Sequence, residues 1–364
     1  MQTRMMMAAV LALGLAPAAA HATCSVSQLV ELKVTMNGVQ PMVPVTINGR
    51  EEHFLVDSGA FYSNISSGKA AELGLKLQPL PPNFVVRGIG GEITPSLTTV
   101  KSVGLAGIAL HDIHFIVGGG EVGNGAGLLG QNVLGIGDVE YDLAHGAVRL
   151  MRPHDCKGAN PAYWAGAKPV STVTIEARDE HNTHTIGTVF VNGVKMRAMF
   201  DTGANGTTMS LAAAARIGLK PDSPGVRAAG YSRGIGRRTV ASYILPIDSI
   251  KLGDQEEIRR THLRAEAGDL LGIDMLIGAD FFISHRVYVA NGLHRMFFTY
   301  DGGPIFNVTP SAHIDDTGAT VAIAPDTVAE PTDAAGFARR GAAALARREY
   351  AKALADLDKA CDMA

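Results

Sequence analysis

Two aspartates, each followed by a hydroxyl residue and a glycine, are the residues of this chain whose types and spacing could do chemistry. They stand in Asp57-Ser58-Gly59 and Asp201-Thr202-Gly203, and the two aspartates are 144 positions apart. Two carboxylates brought face to face can share one proton, so that one acts as a base while the other acts as an acid. The pair predicts an acid–base site if the fold brings the two motifs together.

The segments around the two motifs predict the same local structure twice. Apolar, strand-like segments precede the aspartates at 52–56 and 196–200. Nine residues after each aspartate comes a serine, Ser66 or Ser210, of a type that caps helices. The predicted unit is therefore a strand, a loop that carries the aspartate, and a short helix.

The similarity between the two halves continues downstream of these helices. Residues 87–90 (Arg-Gly-Ile-Gly) recur at 233–236, and the apolar-apolar-Gly sequence at 128–130 recurs at 276–278. Each half also begins with an Asn-Gly hairpin signal between apolar segments. Repetition at this length indicates two tandem copies of one domain, and the short, glycine-punctuated runs indicate mainly β structure.

The paired motifs resemble those of the aspartic peptidases of the pepsin and retropepsin group, over roughly residues 28 to 303. The resemblance implies a mainly β fold of two homologous acid-protease β-barrel lobes, with one short helix each. It implies that Asp57 and Asp201 are the catalytic pair. It also implies supporting roles for the neighbouring loop residues: Ser58 and Thr202 would join the loops by hydrogen bonds, Gly59 and Gly203 would permit close backbone approach, and Leu129-Gly130 and Ile277-Gly278 would pack behind the loops.

Both halves carry a glycine-tipped hairpin that resembles a flap, the hairpin that covers the cleft in this family. The candidate flap residues are Gly88, Ile89 and Gly90 in the first half and Gly234, Ile235 and Gly236 in the second. Two flaps in one chain favour a single-chain, retropepsin-like enzyme. The alternative is that both are ordinary surface hairpins.

Alanine follows the motif glycine in both halves, at Ala60 and Ala204. Many pepsin-like enzymes have serine or threonine there, whose hydroxyl donates toward the carboxylates and so lowers their pKa. Without it we expect the pair to keep its shared proton to higher pH. The hypothesis that follows is a pH optimum in the mildly acidic to neutral range.

The composition limits the remaining function classes. The 364 residues carry a formal net charge of −3, which gives no support for nucleic-acid binding. Residues 1–22 resemble a cleaved signal peptide, which predicts a secreted or periplasmic protein, and no other segment is suited to span a membrane. No cysteine and histidine spacing resembles a metal site, and no cofactor is expected. Cys24 and Cys156 bracket the first lobe and either pair or are incidental.

The sequence patterns divide the chain into five segments: a signal peptide (1–22), a first lobe (26–155), a second lobe (170–303), a linker (304–332) and a C-terminal segment (333–364). The last segment resembles a single tetratricopeptide repeat, which implies a small α-helical hairpin and a protein partner. Its matching positions are Phe337, Gly341, Tyr350, Ala353, Leu357 and Ala360. A plain amphipathic helix pair is the alternative.

We therefore expect an aspartic endopeptidase that acts on a peptide or protein substrate. One alternative is a catalytically silent peptide-binding module of the same fold. Another is an interaction protein whose C-terminal segment is the functional part.

Overall fold

The structure, a computed structural model, describes residues 24–81, 84–118, 125–179, 183–234, 236, 238–270, 272–306, 312–314, 320–322, 334, 337–338, 341 and 350–363. The predicted signal peptide and the flap residue Ile235 lie outside the described residues. Within the described part of the chain, no helix is long and apolar enough to cross a membrane.

The first lobe consists of thirteen strands and two short helices. The strands are β1 (Ser25–Lys33), β2 (Thr35–Asn37), β3 (Gln40–Ile47), β4 (Arg50–Val56), β5 (Asn64–Ile65), β6 (Gln78–Pro79), β7 (Val86–Gly88), β8 (Gly91–Ile93), β9 (Ser96–Leu105), β10 (Ile108–Val117), β11 (Gly127–Leu129), β12 (Asp138–Asp142) and β13 (Ala147–His154). The helices are α1 (Ser67–Glu72) and α2 (Gln131–Leu134).

The second lobe repeats this plan. Its strands are β14 (Ser171–Thr174), β15 (Ile186–Val191), β16 (Val194–Phe200), β17 (Thr208–Ser210), β18 (Arg227–Arg233), β19 (Thr239–Leu252), β20 (Glu256–Glu266), β21 (Met275–Ile277), β22 (His285–Ala290) and β23 (Arg295–Tyr300). Its helices are α3 (Leu211–Arg216) and α4 (Ala279–Ser284). Single 3₁₀ turns at Leu143–His145 and Asn291–Leu293 occupy equivalent places in the two lobes.

Each lobe is a closed six-stranded barrel, which confirms the mainly β, two-lobe fold class. Each lobe has two short helices where one was expected, because a further helical turn follows the apolar-apolar-Gly sequence. Closure comes from β3 pairing with β9 in the first lobe and β15 pairing with β19 in the second. The predicted Asn-Gly turns join β3 to β4 and β15 to β16, with Asn48 and Asn192 at positive φ. The predicted caps are also confirmed, since Ser66 Oγ and Ser210 Oγ accept backbone N–H bonds at α1 and α3.

A six-stranded sheet joins the two lobes, a feature that the sequence patterns do not predict. Its strand order is β1-β13-β12-β22-β23-β14, so each lobe supplies three strands. The lobes meet where β12 pairs antiparallel with β22, with Val139 opposite Val289 and Tyr141 opposite Val287. The hydrogen bonds of this pair fix the relative position of the lobes.

The lobe cores follow from strand alternation. In β3, Val43, Val45 and Ile47 are fully buried at every second position, and in β15 Val189 and Val191 repeat the pattern. These side chains belong to one continuous apolar core that runs through both barrels. The strands that end at the two aspartates are therefore rigidly supported.

Cys24 and Cys156 form a disulfide, which the sequence left open. The pairing of β1 with β13 places Ser25 opposite His154 and so brings the two cysteines together at the sheet edge. The third cysteine, Cys361, is exposed and free.

The expected linker at 304–332 contains two strands, β24 (Ala312–Ile314) and β25 (Thr320–Ala322). The first pairs with β18, with Ile314 opposite Tyr231. The polar, proline-containing composition does not predict these strands. They pair through backbone groups at the open edge of the sheet, which requires few apolar side chains.

The C-terminal segment is helical where it is described, with the helix α5 spanning Tyr350–Asp362. Phe337 is buried, and the Lys359 ammonium lies 4.4 Å from its ring centroid. Ala353 and Ala360 are also buried. These contacts agree with a helical hairpin, while the likeness to a tetratricopeptide repeat stays a prediction.

Candidate active site

The two aspartates follow equivalent strands and are held in equivalent ways. Asp57 follows β4, and its backbone N–H donates to the Leu129 carbonyl at 3.0 Å. Asp201 follows β16, and its N–H donates to the Ile277 carbonyl at 2.8 Å. The acceptor strands β11 and β21 run parallel beside β4 and β16. The repeated apolar-apolar-Gly sequence thus fixes the end of each aspartate-bearing strand.

The glycines of the two loops lie against the opposite aspartates. A Cβ atom at Gly59 would overlap the Asp201 carboxylate, and a Cβ atom at Gly203 would overlap the Asp57 carboxylate. Any side chain at either position would therefore push the carboxylates apart. The fold brings Asp57 and Asp201 into one site, with each carboxylate against the glycine of the opposite loop.

Ser58 and Thr202 join the two loops by buried, reciprocal hydrogen bonds. The Ser58 N–H donates to Thr202 Oγ1 at 3.0 Å, and the Thr202 N–H donates to Ser58 Oγ at 2.9 Å. Each hydroxyl also donates across the interface, Ser58 Oγ to the Phe200 carbonyl and Thr202 Oγ1 to the Val56 carbonyl. This linkage sets the separation of the aspartates.

The two carboxylates accept hydrogen bonds from the backbone N–H groups of their own loops. Asp57 Oδ1 accepts the Gly59 N–H at 2.9 Å. Asp201 Oδ1 accepts two donors, from Gly203 at 2.8 Å and from Ala204 at 3.2 Å. N–H donors stabilise the ionised form of a carboxyl group, so these bonds oppose the effect of burial at both aspartates.

The pKa of both aspartates is raised. For Asp57 the largest cause is burial, followed by the negative charge of Asp201, and the pKa lies well above its usual value. Burial also raises the pKa of Asp201. Since two adjacent carboxylates cannot both ionise easily, the pair holds one proton between them over a range of pH.

Behind each loop a polar side chain fixes the glycine that follows the apolar pair. Asn132 Oδ1 accepts from Ser63, whose Oγ accepts the Gly130 N–H at 3.0 Å. In the second lobe Asp280 accepts from Thr207, whose Oγ1 accepts the Gly278 N–H at 3.0 Å. Burial raises the pKa of Asp280. The duplicated sequence aligns these residues, yet their polar role was missed.

Gln131 and Arg178 form a support that exists in the first lobe alone among the described residues. Gln131 Nε2 donates to the Ser58 carbonyl at 2.8 Å, and its backbone N–H donates to the Ala60 carbonyl at 2.9 Å. Arg178 Nη2 donates to Gln131 Oε1 at 2.9 Å. The second lobe keeps the backbone bond, since the Ala279 N–H donates to the Ala204 carbonyl at 2.8 Å, but the Ala279 methyl group cannot make the side-chain bonds. Arg178 lies between the lobes, in a segment whose composition predicts only a connection.

The Tyr141 hydroxyl lies beneath the aspartates, on the sheet that joins the lobes. Burial raises the pKa of Tyr141, so the phenol stays neutral.

The two candidate flaps are hairpins whose tips meet. The first is the β7–β8 hairpin, and the second is the turn between β18 and β19. Gly90 forms a parallel bridge with Gly236, and the Arg238 N–H donates to the Gly90 carbonyl at 2.9 Å. A Cβ atom at Gly234 would lie 3.4 Å from Ile89.

The tip of the first flap reaches the second lobe. Ile89 packs on an apolar cluster that also contains Met199 and Ala204, close to Asp201 in sequence. The first lobe has a smaller equivalent cluster next to Asp57, made of Met42, Leu55, Ala60 and Leu128. Apolar patches therefore flank both aspartates.

A separate group of residues has the composition of a cation site. Ligand atoms of Asp142, His145 and Asp301 lie within 4.8 Å of one another. Asp142 is already paired with Arg149 at 3.1 Å, and Asp301 with Lys168 at 3.0 Å. The basic partners supply the charge that a metal ion would supply, so this group is explained as a set of ion pairs.

Two family models match this chain, one in each lobe. A model described as gag-polyprotein putative aspartyl protease matches residues 43–135, and a model described as aspartyl protease matches residues 187–281. Each lobe is therefore similar to an aspartyl protease domain. Each match contains one of the aspartates that the structure brings together. These matches support the aspartic peptidase resemblance and, in general terms, an aspartic protease function.

One solved structure that is similar to part of this chain is a retropepsin-like aspartic protease from Rickettsia conorii. It is 20% identical in sequence and covers 36% of this chain and 95% of its own, with a TM-score of 0.27. No curated protein matches the sequence.

Proposed function

We propose that this protein is an aspartic endopeptidase that hydrolyses peptide bonds with a water molecule activated between Asp57 and Asp201. The observation that carries the proposal is that each carboxylate lies against the glycine of the other loop. Each acid comes from a lobe that matches an aspartyl protease model. Two acids in this arrangement have the geometry to share one proton during catalysis.

The unequal donors suggest the starting protonation state. Asp201 accepts two backbone N–H groups and is the ionised partner, and Asp57 carries the shared proton. Asp201 then takes a proton from water as the water oxygen attacks the carbonyl carbon of the substrate. Asp57 donates its proton to the carbonyl oxygen, where negative charge develops.

The resulting tetrahedral diol breaks down by the reverse transfer. Asp57, now ionised, takes back a hydroxyl proton as the carbonyl re-forms. Asp201 gives its proton to the leaving nitrogen as the carbon–nitrogen bond breaks. The products are a carboxylic acid and an amine, and the pair regains its single shared proton.

The flaps are proposed to cover the bound peptide. Their tips meet through Gly90 and Gly236, and Ile89 packs close to the Asp201 loop. A cover of this kind excludes water from the reacting bond and so strengthens every electrostatic interaction there.

We also propose a secreted or periplasmic location. The Cys24–Cys156 disulfide supports it, because disulfides persist in oxidising compartments. The proposed cleavage after residue 22 would leave Cys24 near the mature N-terminus.

Inhibition by a statine-type peptide, a mimic of the tetrahedral diol, tests the proposal together with Asp57→Asn. The protein should cleave an unfolded protein substrate, the inhibitor should abolish cleavage, and Asp57→Asn should lower kcat by at least about 10²-fold. The control is Asp222→Asn, since Asp222 is exposed. Cleavage that persists in Asp57→Asn overturns the proposal. Peptide binding without any cleavage by the wild type indicates the silent binding module instead.

A further inference from the structure

A pocket on the second lobe lies beside the flap contact and is distinct from the aspartate pair. It has a volume of about 450 Å³. Carboxylate residues dominate its polar lining, which consists of Ser210, Glu266, Asp269 and Asp274. Ile273 contributes apolar surface.

Glu266 is the residue that the fold leaves unsatisfied in this pocket. Its side chain is 4% exposed, and Oε2 has no hydrogen-bond partner in the described part of the chain. Burial raises the pKa of Glu266, while a hydrogen bond from Ser232 and the positive charge of Arg264 oppose that rise. A buried carboxylate oxygen without a donor is costly and indicates a place for one.

The other polar groups of the pocket are already engaged. Ser210 Oγ caps α3 by accepting the Ala213 N–H at 3.1 Å. Asp274 pairs with Arg216 and accepts the Arg197 N–H at 2.8 Å. Arg264, two residues before Glu266, donates to Ser242 Oγ at 2.7 Å. The acceptor that is left without a donor in this pocket is thus Glu266 Oε2.

The pocket is continuous with the wall of the proposed substrate cleft. Ile273 belongs to the apolar cluster that contains Ala204 and the flap residue Ile89. Residues 267–269 line both this pocket and a second groove of about 640 Å³ against the first flap. An extended peptide advances roughly 3.3 Å per residue. A chain bound at the aspartates that follows this apolar cluster runs toward the pocket.

We propose that this pocket binds a basic side chain, lysine or arginine, of the peptide substrate a few residues from the scissile bond. A cationic N–H donor satisfies Glu266 Oε2, and its positive charge complements that of the carboxylate. An acidic side chain would be repelled, and an apolar one would leave the carboxylate unpaired. This specificity rests on the proposed peptidase function.

The test compares two sets of peptides that are identical apart from one position, which holds lysine in one set and methionine in the other. The position is moved stepwise away from the scissile bond. At one position we expect kcat/KM to be about 10-fold or more higher for lysine, in line with a hydrogen bond between charged groups. In Glu266→Gln this ratio should fall to near one. Glu51→Gln, which changes an exposed glutamate of the first lobe, should keep the wild-type ratio.

Affinity is measured in parallel by fluorescence anisotropy with labelled peptides and Asp57→Asn, in which the proposed cleavage is blocked. The proposal predicts that the lysine peptide binds more tightly than the methionine peptide and that this difference disappears when Glu266→Gln is added. If this result is obtained but the wild type cleaves nothing, the proposed function is wrong and the proposed pocket is supported. If the lysine and methionine peptides have equal kcat/KM and equal affinity at every position, the proposed pocket specificity is wrong. Cleavage that depends on Asp57 would still support the proposed peptidase function in that case. The wild-type ratios decide this even if Glu266→Gln does not fold.

Discussion

Ser58 and Thr202 exchange hydrogen bonds across the lobe interface, each backbone N–H donating to the other residue's hydroxyl, at 3.0 and 2.9 Å. The two residues are 144 positions apart, and each immediately follows an aspartate of the candidate site. The distance between the carboxylates therefore depends on this exchange as well as on the sheet that joins the lobes.

Removing either hydroxyl should destabilise the protein, and the two losses should be coupled. Ser58→Ala leaves the Thr202 N–H and the Phe200 carbonyl without partners, and each buried unsatisfied group costs about 1–3 kcal/mol. The free energy of unfolding, measured in urea, should fall in both single variants. A double-mutant cycle with Thr202→Ala should give a coupling energy of about 0.5–3 kcal/mol.

The matched control for that cycle is Thr35→Ala, at an exposed strand position, which should change stability by less than about 0.5 kcal/mol. Strictly additive losses for Ser58→Ala and Thr202→Ala would contradict a direct linkage between the loops.

The raised pKa of Asp57 makes a prediction about stability. A carboxyl whose pKa is higher in the folded than in the unfolded protein weakens folding as pH rises above the usual aspartate value, until the folded-state pKa is passed. Asp57→Asn removes this penalty. Its Tm relative to wild type should therefore increase between about pH 4 and pH 7.

Calorimetry at several pH values measures this trend, and Asp222→Asn on the surface should show no such dependence. A Tm difference for Asp57→Asn that stays constant over the range would mean that the Asp57 pKa is not raised.

The Gln131 side chain should matter more for turnover than for substrate affinity, because it holds the Ser58 carbonyl and not the substrate. Gln131→Met should lower kcat by about 10- to 100-fold, since small displacements of reacting groups have effects of that size. KM should change little. Separate kcat and KM values for Gln131→Met and for the exposed Gln28→Met provide the test. A change confined to KM would assign Gln131 to substrate binding.

The meeting of the flap tips requires glycine at position 236. A Cβ atom there would overlap the Gly90 backbone, whereas at Gly302, which has a similar positive φ, nothing lies within 4 Å. Gly236→Ala and Gly302→Ala carry the same kind of backbone strain, so their difference isolates the flap contact. We expect KM for a peptide substrate to rise about tenfold in Gly236→Ala alone, which corresponds to 1.4 kcal/mol of lost binding. Equal KM values would show that substrate binding does not need the contact.

The duplication made the central features predictable from sequence. Asp57 and Asp201, the serine caps of α1 and α3, and the apolar pairs before Gly130 and Gly278 are local patterns that occur twice. Each follows from residue type and spacing within a short window. Their repetition indicated two similar domains before any contact was known.

The features that were missed depend on contacts between distant segments. Arg178 reaches Gln131, 47 residues earlier, from a stretch without periodicity. Tyr141 and the β12–β22 pairing depend on how the lobes meet, which neither lobe encodes alone. Glu266 ends an ordinary strand, and only its burial beside an acidic pocket distinguishes it. The pairing of Cys24 with Cys156 could not be decided from the sequence, because cysteine spacing does not reveal which strand ends are neighbours.

The most direct test of the account is cleavage of a diverse peptide mixture across roughly pH 3 to 8, the range in which shared carboxylate protons are held. Wild type, Asp57→Asn and Asp201→Asn are compared. We predict cleavage by the wild type with an optimum in the mildly acidic to neutral range, and loss of cleavage in both variants. Cleavage that survives in either variant would contradict a single site built from two lobes.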